Sequence, residues 1–335
     1  KKPEMKYISN VAKNLLPVIK KNQLIVLEST VYPGATEEYF LPVIKKAKFK
    51  VGKNFFLGFS PEREDPGNKK FSISKGNIPK VVSGCTNKCK KIVSLLYNKI
   101  AKTVEVNSIK EAEFTKLLEN VYRAINISFV NEMKVIADGM NIDINHAIDA
   151  AKTKPFGYTA FYPGPGLGGH CIPVDPHILA WKAKKFKINA EFIKLSSQVN
   201  EKMSKFILKV LKKGLLSQKK SIKNKKILIL GISYKKNSND MRESPAMRVI
   251  NLLKKYKSNI SLADPLLSGL DKKTFVKKYK NIKMVEIKKD IVKNQDAVIL
   301  ITDHDEFNYK LIKKYSKIII DTRNKFNSSY KIFKA

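Results

Sequence analysis

Ile227-Leu228-Ile229-Leu230, closed by Gly231, is an unbroken apolar run of strand length. A strand that is apolar on both faces must be covered on both, which is the place of an inner strand in a parallel sheet flanked by helices. Leu24-Ile25-Val26-Leu27 repeats the pattern and ends in the polar turn Glu28-Ser29-Thr30, broken by Tyr32-Pro33-Gly34. Further strands are expected at Phe55–Phe59, Lys80–Ser83, Asn259–Ala263, Asp296–Thr302 and Ile318–Asp321, with helices over 11–21, 35–46 and 86–100. Such alternation predicts α/β architecture, with ligand-facing loops at the carboxyl ends of the strands. Between the two alternating regions, helical periodicity runs from about Ser108 to Ile148 and again from Asn189 to Leu216. At 335 residues the chain is too long for one core, so we divide it into three domains over 1–107, 108–217 and 218–335.

The densest signal for chemistry is Gly164-Pro165-Gly166-Leu167-Gly168-Gly169-His170-Cys171-Ile172-Pro173-Val174-Asp175-Pro176. Glycine removes restraint and proline removes an N–H, so together they fix an irregular loop. A thiol on such a loop, with a carboxylate four residues later at Asp175, suggests a nucleophile and a partner that handles a proton or water. The bland alternative is an inert cysteine in a structural turn; the glycines favour the first reading because they let a ligand approach the backbone. His170 adjoins the thiol in sequence, but neighbours on a turn need not face each other, and it is not assigned as a base.

The formal charge of +37 invites a nucleic-acid reading. Of the 66 basic residues, however, only Arg63, Arg123, Arg242, Arg248 and Arg323 are arginine, and the lysines are spread along the whole chain. Specific phosphate and base recognition favours the forked guanidinium, so we expect no specific nucleic-acid partner, only weak, salt-sensitive attraction to polyanions. No run approaches the roughly 18 apolar residues that span a bilayer, and Lys1-Lys2-Pro3-Glu4 opens no apolar signal region; the cytoplasm is the default compartment and no membrane partner is expected. Three cysteines, Cys85, Cys89 and Cys171, argue against a disulfide framework. Cys85 and Cys89 read as helix-start residues, and His146, His177 and His304 lack ligand spacing, so no metal is expected.

Glu28-Ser29-Thr30-Val31-Tyr32-Pro33-Gly34-Ala35-Thr36-Glu37-Glu38, the Ser60–Asn68 loop, Glu113-Phe114-Thr115-Lys116 with Asn120, the cysteine loop, and Gly231–Pro245 ending in Asp240-Met241-Arg242-Glu243-Ser244-Pro245 resemble, in order, motifs of the UDP-glucose/GDP-mannose dehydrogenase family. Thr153-Lys154-Pro155-Phe156-Gly157 and Tyr162-Pro163-Gly164-Pro165-Gly166 look most like the UDP-N-acetylglucosamine 6-dehydrogenases of bacterial surface-polysaccharide pathways. The resemblance implies two Rossmann-like parallel-sheet domains joined by a helical dimerisation domain, hence a homodimer, with NAD as cofactor and a UDP-sugar as substrate.

It also implies roles. Cys171 would attack the aldehyde formed by a first hydride transfer, and a second transfer would leave a thioester for water to hydrolyse. Asp175 would assist with proton or water handling. Lys116 and Asn120 would polarise the substrate oxygen, and at i, i+4 and i+7 they share a helix face with Arg123, a substrate contact. Thr30 would approach the nicotinamide or a catalytic water, and Glu62 and Arg63 would face substrate from their loop. Gly168, Tyr234 and Lys235 would hold the substrate, and Arg242 would reach the cofactor.

The resemblance fails at the start. Family members begin with a strand and a Gly-rich turn that cradles the NAD pyrophosphate, and no such motif precedes Leu24. About one hundred residues of the family pattern would then be absent, leaving the first Rossmann-like domain truncated, with an exposed strand edge. Where the glucose enzymes carry a later Glu in the Ser60 loop, Asp65 or Pro66 stands here, which weighs against UDP-glucose. The alternatives are UDP-glucose or UDP-N-acetylmannosamine 6-dehydrogenase, or a truncated, non-catalytic UDP-sugar-binding remnant.

Overall fold

The computed structural model describes residues 2–65, 71–73, 75–269, 275, 277, 279 and 282–335. Residues 66–68 of the charged loop, Pro66 included, lie outside the described residues. The chain forms two compact units, one of residues 1–122 and 174–190, the other of residues 123–173 and 191–335. The helical middle is thus shared between the two.

In the first unit, α1 (Lys6–Leu15), β1 (Leu24–Leu27), α2 (Ala35–Lys46), β2 (Phe56–Phe59), β3 (Lys80–Gly84), α3 (Asn87–Tyr97) and β4 (Thr103–Glu105) alternate as expected. The helix expected over 11–21 begins earlier and ends at Leu15, because Pro17 lacks the N–H and fills the space that another turn would need. The sheet runs β1-β2-β3-β4. Its β1–β2 and β3–β4 pairs are parallel, but β2 and β3 are antiparallel, with Gly58 opposite Gly84 and Phe59 opposite Ser83. The apolar runs mark these strands as buried but carry no information about direction. Phe40, Ile44, Phe55, Leu57 and Phe59 form the core.

The helix α4 (Ile109–Gly139) starts in this unit and continues into the second. At its start, Glu113 is fully buried and accepts from Gly34 N (2.5 Å), Thr36 N (2.8 Å) and Thr36 Oγ1 (2.7 Å). Those N–H groups open α2, so a carboxylate from a distant helix supplies the cap that Gly34 cannot.

The second unit adds α5 (Ile144–Ala151), α7 (Glu191–Leu216), β5 (Lys226–Leu230), α8 (Pro245–Lys254), β6 (Asn259–Ala263), β7 (Lys283–Met284), α9 (Lys289–Lys293), β8 (Ala297–Leu300), α10 (Tyr309–Tyr315), β9 (Ile319–Asp321) and β10 (Ile332–Lys334). The helix α6 (Asp175–Lys184), between α5 and α7 in sequence, belongs to the first unit. The six strands pair in parallel in the order β10-β9-β8-β5-β6-β7. That is the Rossmann order, and its switch point lies between β5 and β8, where ligands bind beyond the strand ends. Gly231, at φ +78°, turns the chain there: a Cβ would sit 2.4 Å from Thr302 O, so only glycine fits. Among the described residues no helix is long and apolar enough to cross a membrane.

Candidate active site

Each unit carries part of the expected site. In the first unit, Thr30 follows the carboxyl end of β1. It is half-buried, and its hydroxyl has no hydrogen-bond partner among the described residues. Asn120 and Asp175 meet on α4 and α6: both are buried, and Asn120 Nδ2 donates to Asp175 Oδ2 at 2.5 Å. Asp175 opens α6, at the positive end of the helix dipole. One turn before Asn120, the half-buried Lys116 ammonium has no ion-pair partner among the described residues. Burying a cation without a counter-charge costs free energy, which makes Lys116 a natural receiver for a substrate oxygen. Arg123, the third member of the expected face, is exposed.

The Glu62–Arg63 pair is committed to the protein. Arg63 donates through Nη1 to Pro79 O (2.8 Å) and pairs through Nη2 with Glu119 of α4 (2.7 Å), fastening the loop beside Asn120. Glu62 Oε1 accepts from Arg63 N and Glu64 N, both at 2.6 Å, and Oε2 lies 3.5 Å from Lys80 Nζ. Burial pushes the Glu62 carboxyl up, but the Glu64 N–H, the Lys80 charge and the Arg63 N–H together hold it below the usual range. Lys80, only 2% exposed, also pairs with Glu28 at 2.9 Å, and Tyr97 donates to the same Glu28 oxygen at 2.6 Å. Sequence reading missed this network, since its four members lie on four separate segments of the chain.

In the second unit the cysteine loop is held at two places. Gly164 N donates to Asn131 Oδ1 (2.9 Å), and Asn131 Nδ2 donates to Asn200 Oδ1 (2.9 Å), tying the loop's start to α4 and α7. Just before the thiol, a Cβ on Gly168 would lie 2.7 Å from Tyr234 Cβ, and one on Gly169 would lie 2.7 Å from Tyr234 Cε2. The two glycines let the Tyr234 ring lie against the backbone, and Gly169 N donates to Arg242 O at 3.0 Å. Cys171 stands exposed beyond them.

Lys235 is half-buried in the same segment. Arg242, expected to reach the cofactor, closes on Asp240 through Nε (3.0 Å) and Nη2 (2.6 Å) and is largely exposed. Arg323, which sequence reading left unassigned, approaches the loop instead: its Nη1 would lie 3.0 Å from a Cβ on Gly164, and its Nε donates to Ile301 O at 2.7 Å. Its scarcity in a lysine-rich chain was the available signal. In the first unit, an apolar groove of about 1110 Å³ lined by Leu41, Phe49, Phe114, Phe186 and Ile188 contains none of the expected site residues.

The three thiols differ in a testable way. Burial and the neighbouring Glu37 carboxylate push Cys85 up to about 11, and Cys89 is fully buried. Because only the thiolate reacts, iodoacetamide at pH 8 is expected to alkylate Cys171 first. Peptide mapping that found Cys85 modified earlier would contradict this.

Family models match the whole course of the chain in order: an NAD binding domain over residues 1–101, a central domain over 110–202 and a UDP binding domain over 228–328. With the Rossmann-order sheet of the second unit, these matches point to a family of nucleotide-sugar dehydrogenases. The chain belongs to the UDP-glucose/GDP-mannose dehydrogenase family. It is 35% identical over 274 residues to a UDP-N-acetyl-D-glucosamine 6-dehydrogenase of Pseudomonas aeruginosa, covering 81% of this chain and 64% of that protein. It is 31% identical to a UDP-N-acetyl-D-mannosamine dehydrogenase of Methanococcus aeolicus, covering 98% of this chain and 71% of the other. A solved UDP-D-ManNAc dehydrogenase structure from Pyrococcus horikoshii superposes with a TM-score of 0.86 at 26% identity, over 99% of this chain and 77% of that one. This chain therefore spans between 64% and 77% of the length of these relatives.

Proposed function

We propose that the chain oxidises the C6 hydroxyl of a UDP-sugar, UDP-N-acetylglucosamine in the first instance, to the uronic acid in two NAD-dependent steps through Cys171. The observation that carries this reading is the exposed thiol on a loop clamped between Asn131 and Tyr234, in a chain that matches both NAD- and UDP-binding domain models.

NAD, when bound, accepts a hydride from C6 in each step. The unpaired Thr30 hydroxyl at the end of β1 suits a contact at the nicotinamide end, and Arg242 is the second cofactor contact we propose. G-x-G-x-x-G does not occur within residues 1–101, so no pyrophosphate cradle is assigned there.

Lys116 and Asn120 stabilise the oxyanion that develops as the hydroxyl loses its proton. Cys171 then adds its sulfur to the C6 aldehyde, forming the C–S bond of a thiohemiacetal. Loss of the second C6 hydrogen as hydride converts this to a thioester, and water cleaves the C–S bond, returning the thiol and releasing the carboxylate. Asp175, held by Asn120, takes a proton from that water. The substrate contacts we propose are Glu62 and Arg63 in the first unit and Arg123, Gly168, Tyr234 and Lys235 in the second, with Glu62 and Arg63 acting through a loop already fixed to α4.

The N-acetyl sugar is favoured by the Pro61-Glu62-Arg63 and Lys154-Pro155-Phe156-Gly157 segments. A site built to hydrogen-bond an acetamido group leaves polar atoms unpaired when given a plain hydroxyl. UDP-N-acetylglucosamine is expected to exceed UDP-glucose in kcat/KM by at least about tenfold, the scale of one lost hydrogen bond. Equal or reversed values would move the assignment to UDP-glucose, and preference for the manno epimer would move it to UDP-N-acetylmannosamine.

Phe129 and Ile136, seven residues apart on one face of α4 in the second unit, are exposed, which supports a two-fold dimer through this helix. Sizing at micromolar concentration is expected to give a dimer, and monomer alone would rule it out.

A further inference from the structure

We propose that the buried pair Asp264–His304 is a positioning device for the reacting thiol: it fixes residues 231–237 so that Tyr234 holds Gly168–Gly169 and, through them, the loop of Cys171. This rests on the reading of Cys171 as nucleophile.

Asp264 directly follows β6, the second strand in chain order of the Rossmann-order sheet. In a dinucleotide site the acid at that place reaches outward to a ribose. Here it is turned inward and saturated. Its Oδ2 accepts from Ile232 N (2.8 Å), Ser233 N (3.2 Å), Ser233 Oγ (3.1 Å) and His304 Nε2 (3.2 Å), and its Oδ1 accepts from Leu266 N (3.0 Å). Both side chains of the pair are fully buried. Burial pushes the Asp264 carboxyl up, but the His304 hydrogen bond and the Ile232 and Leu266 N–H groups outweigh it and hold it below the usual range.

His304 has both ring nitrogens engaged. Asn237 N donates to Nδ1 at 3.0 Å, so Nε2 carries the proton and points it at Asp264. The segment between is therefore gripped at Ile232–Ser233 by the carboxylate and at Asn237 by the imidazole. Thr302 Oγ1 adds a third tie to Ser233 O at 2.6 Å. Tyr234 sits between these anchors, and its own N–H donates to Asp240 O at 2.9 Å. Its ring lies against the two glycines that lead to Cys171. No member of the pair is adjacent to the thiol in sequence; the coupling runs through Tyr234.

The test compares the enzyme with His304→Phe, which keeps an aromatic ring but loses both hydrogen bonds, and with His304→Gln, whose amide retains one donor and one acceptor. Amide hydrogen exchange of the 164–173 peptide and steady-state kinetics are read together. His304→Phe is expected to speed exchange in that peptide at least about fivefold and to lower kcat at least about tenfold, with KM for NAD within twofold; His304→Gln is expected to recover part of both. Should His304→Phe not fold, Ser233→Ala, which removes one donor from Asp264 without opening a large cavity, is expected to move both readings in the same direction by two- to threefold. Unchanged exchange, or faster exchange with unchanged kcat, overturns the proposal. Cys171→Ser run in parallel separates the two readings: if it retains turnover to acid, the nucleophile assignment fails whatever His304 does.

Discussion

Cys171→Ser is expected to abolish formation of the uronic acid, lowering turnover by at least about 10³-fold. A serine hydroxyl is almost wholly protonated near neutral pH, whereas the thiol supplies a thiolate and later leaves readily from the thioester. The substitution changes one exposed atom on a loop whose shape is set elsewhere, by Asn131, Asn200 and Tyr234, so the variant is expected to fold and to bind UDP-sugar normally. Aldehyde accumulates if the first oxidation survives. Full turnover to acid by the serine variant would make the thiol structural.

Lys116→Ala is expected to lower kcat by roughly 10²–10³ with a smaller change in KM, the scale on which loss of an oxyanion stabiliser is felt. The ammonium matters most when oxygen is most negative, so the loss falls on the transition state. Asn120→Ala is expected to move in the same direction, with a further effect through Asp175, whose carboxylate loses its 2.5 Å donor. A change confined to KM in both variants would assign them to ground-state binding.

The parts of the fold legible in the sequence were those that local chemistry decides. Apolar runs such as Ile227–Leu230 give buried strands, and the glycines and prolines of 164–176 give an irregular loop; both are as expected. The antiparallel β2–β3 pair was not legible, because hydrophobicity does not record strand direction. Pro17 ends α1 at Leu15, short of the amphipathic pattern over 11–21, because apolar periodicity does not register a missing N–H. The contacts that shape the site were the least readable. Glu113 of α4 capping α2, Lys80 between Glu28 and Glu62, and His304 bonded to Asp264 each join residues far apart in sequence. His304 was considered only as a metal ligand, and nothing in its neighbourhood in sequence points to Asp264. Arg63 and Arg242 were read as ligand-facing, whereas here each guanidinium is engaged by a carboxylate, Glu119 and Asp240.

The most direct test of the account is the ratio of NADH formed to UDP-sugar consumed, measured to completion with limiting UDP-N-acetylglucosamine and excess NAD, with the product identified by mass. Oxidation through a Cys171 thioester predicts two NADH per sugar and a uronic acid, with no free aldehyde. One NADH per sugar, with aldehyde released, would contradict it.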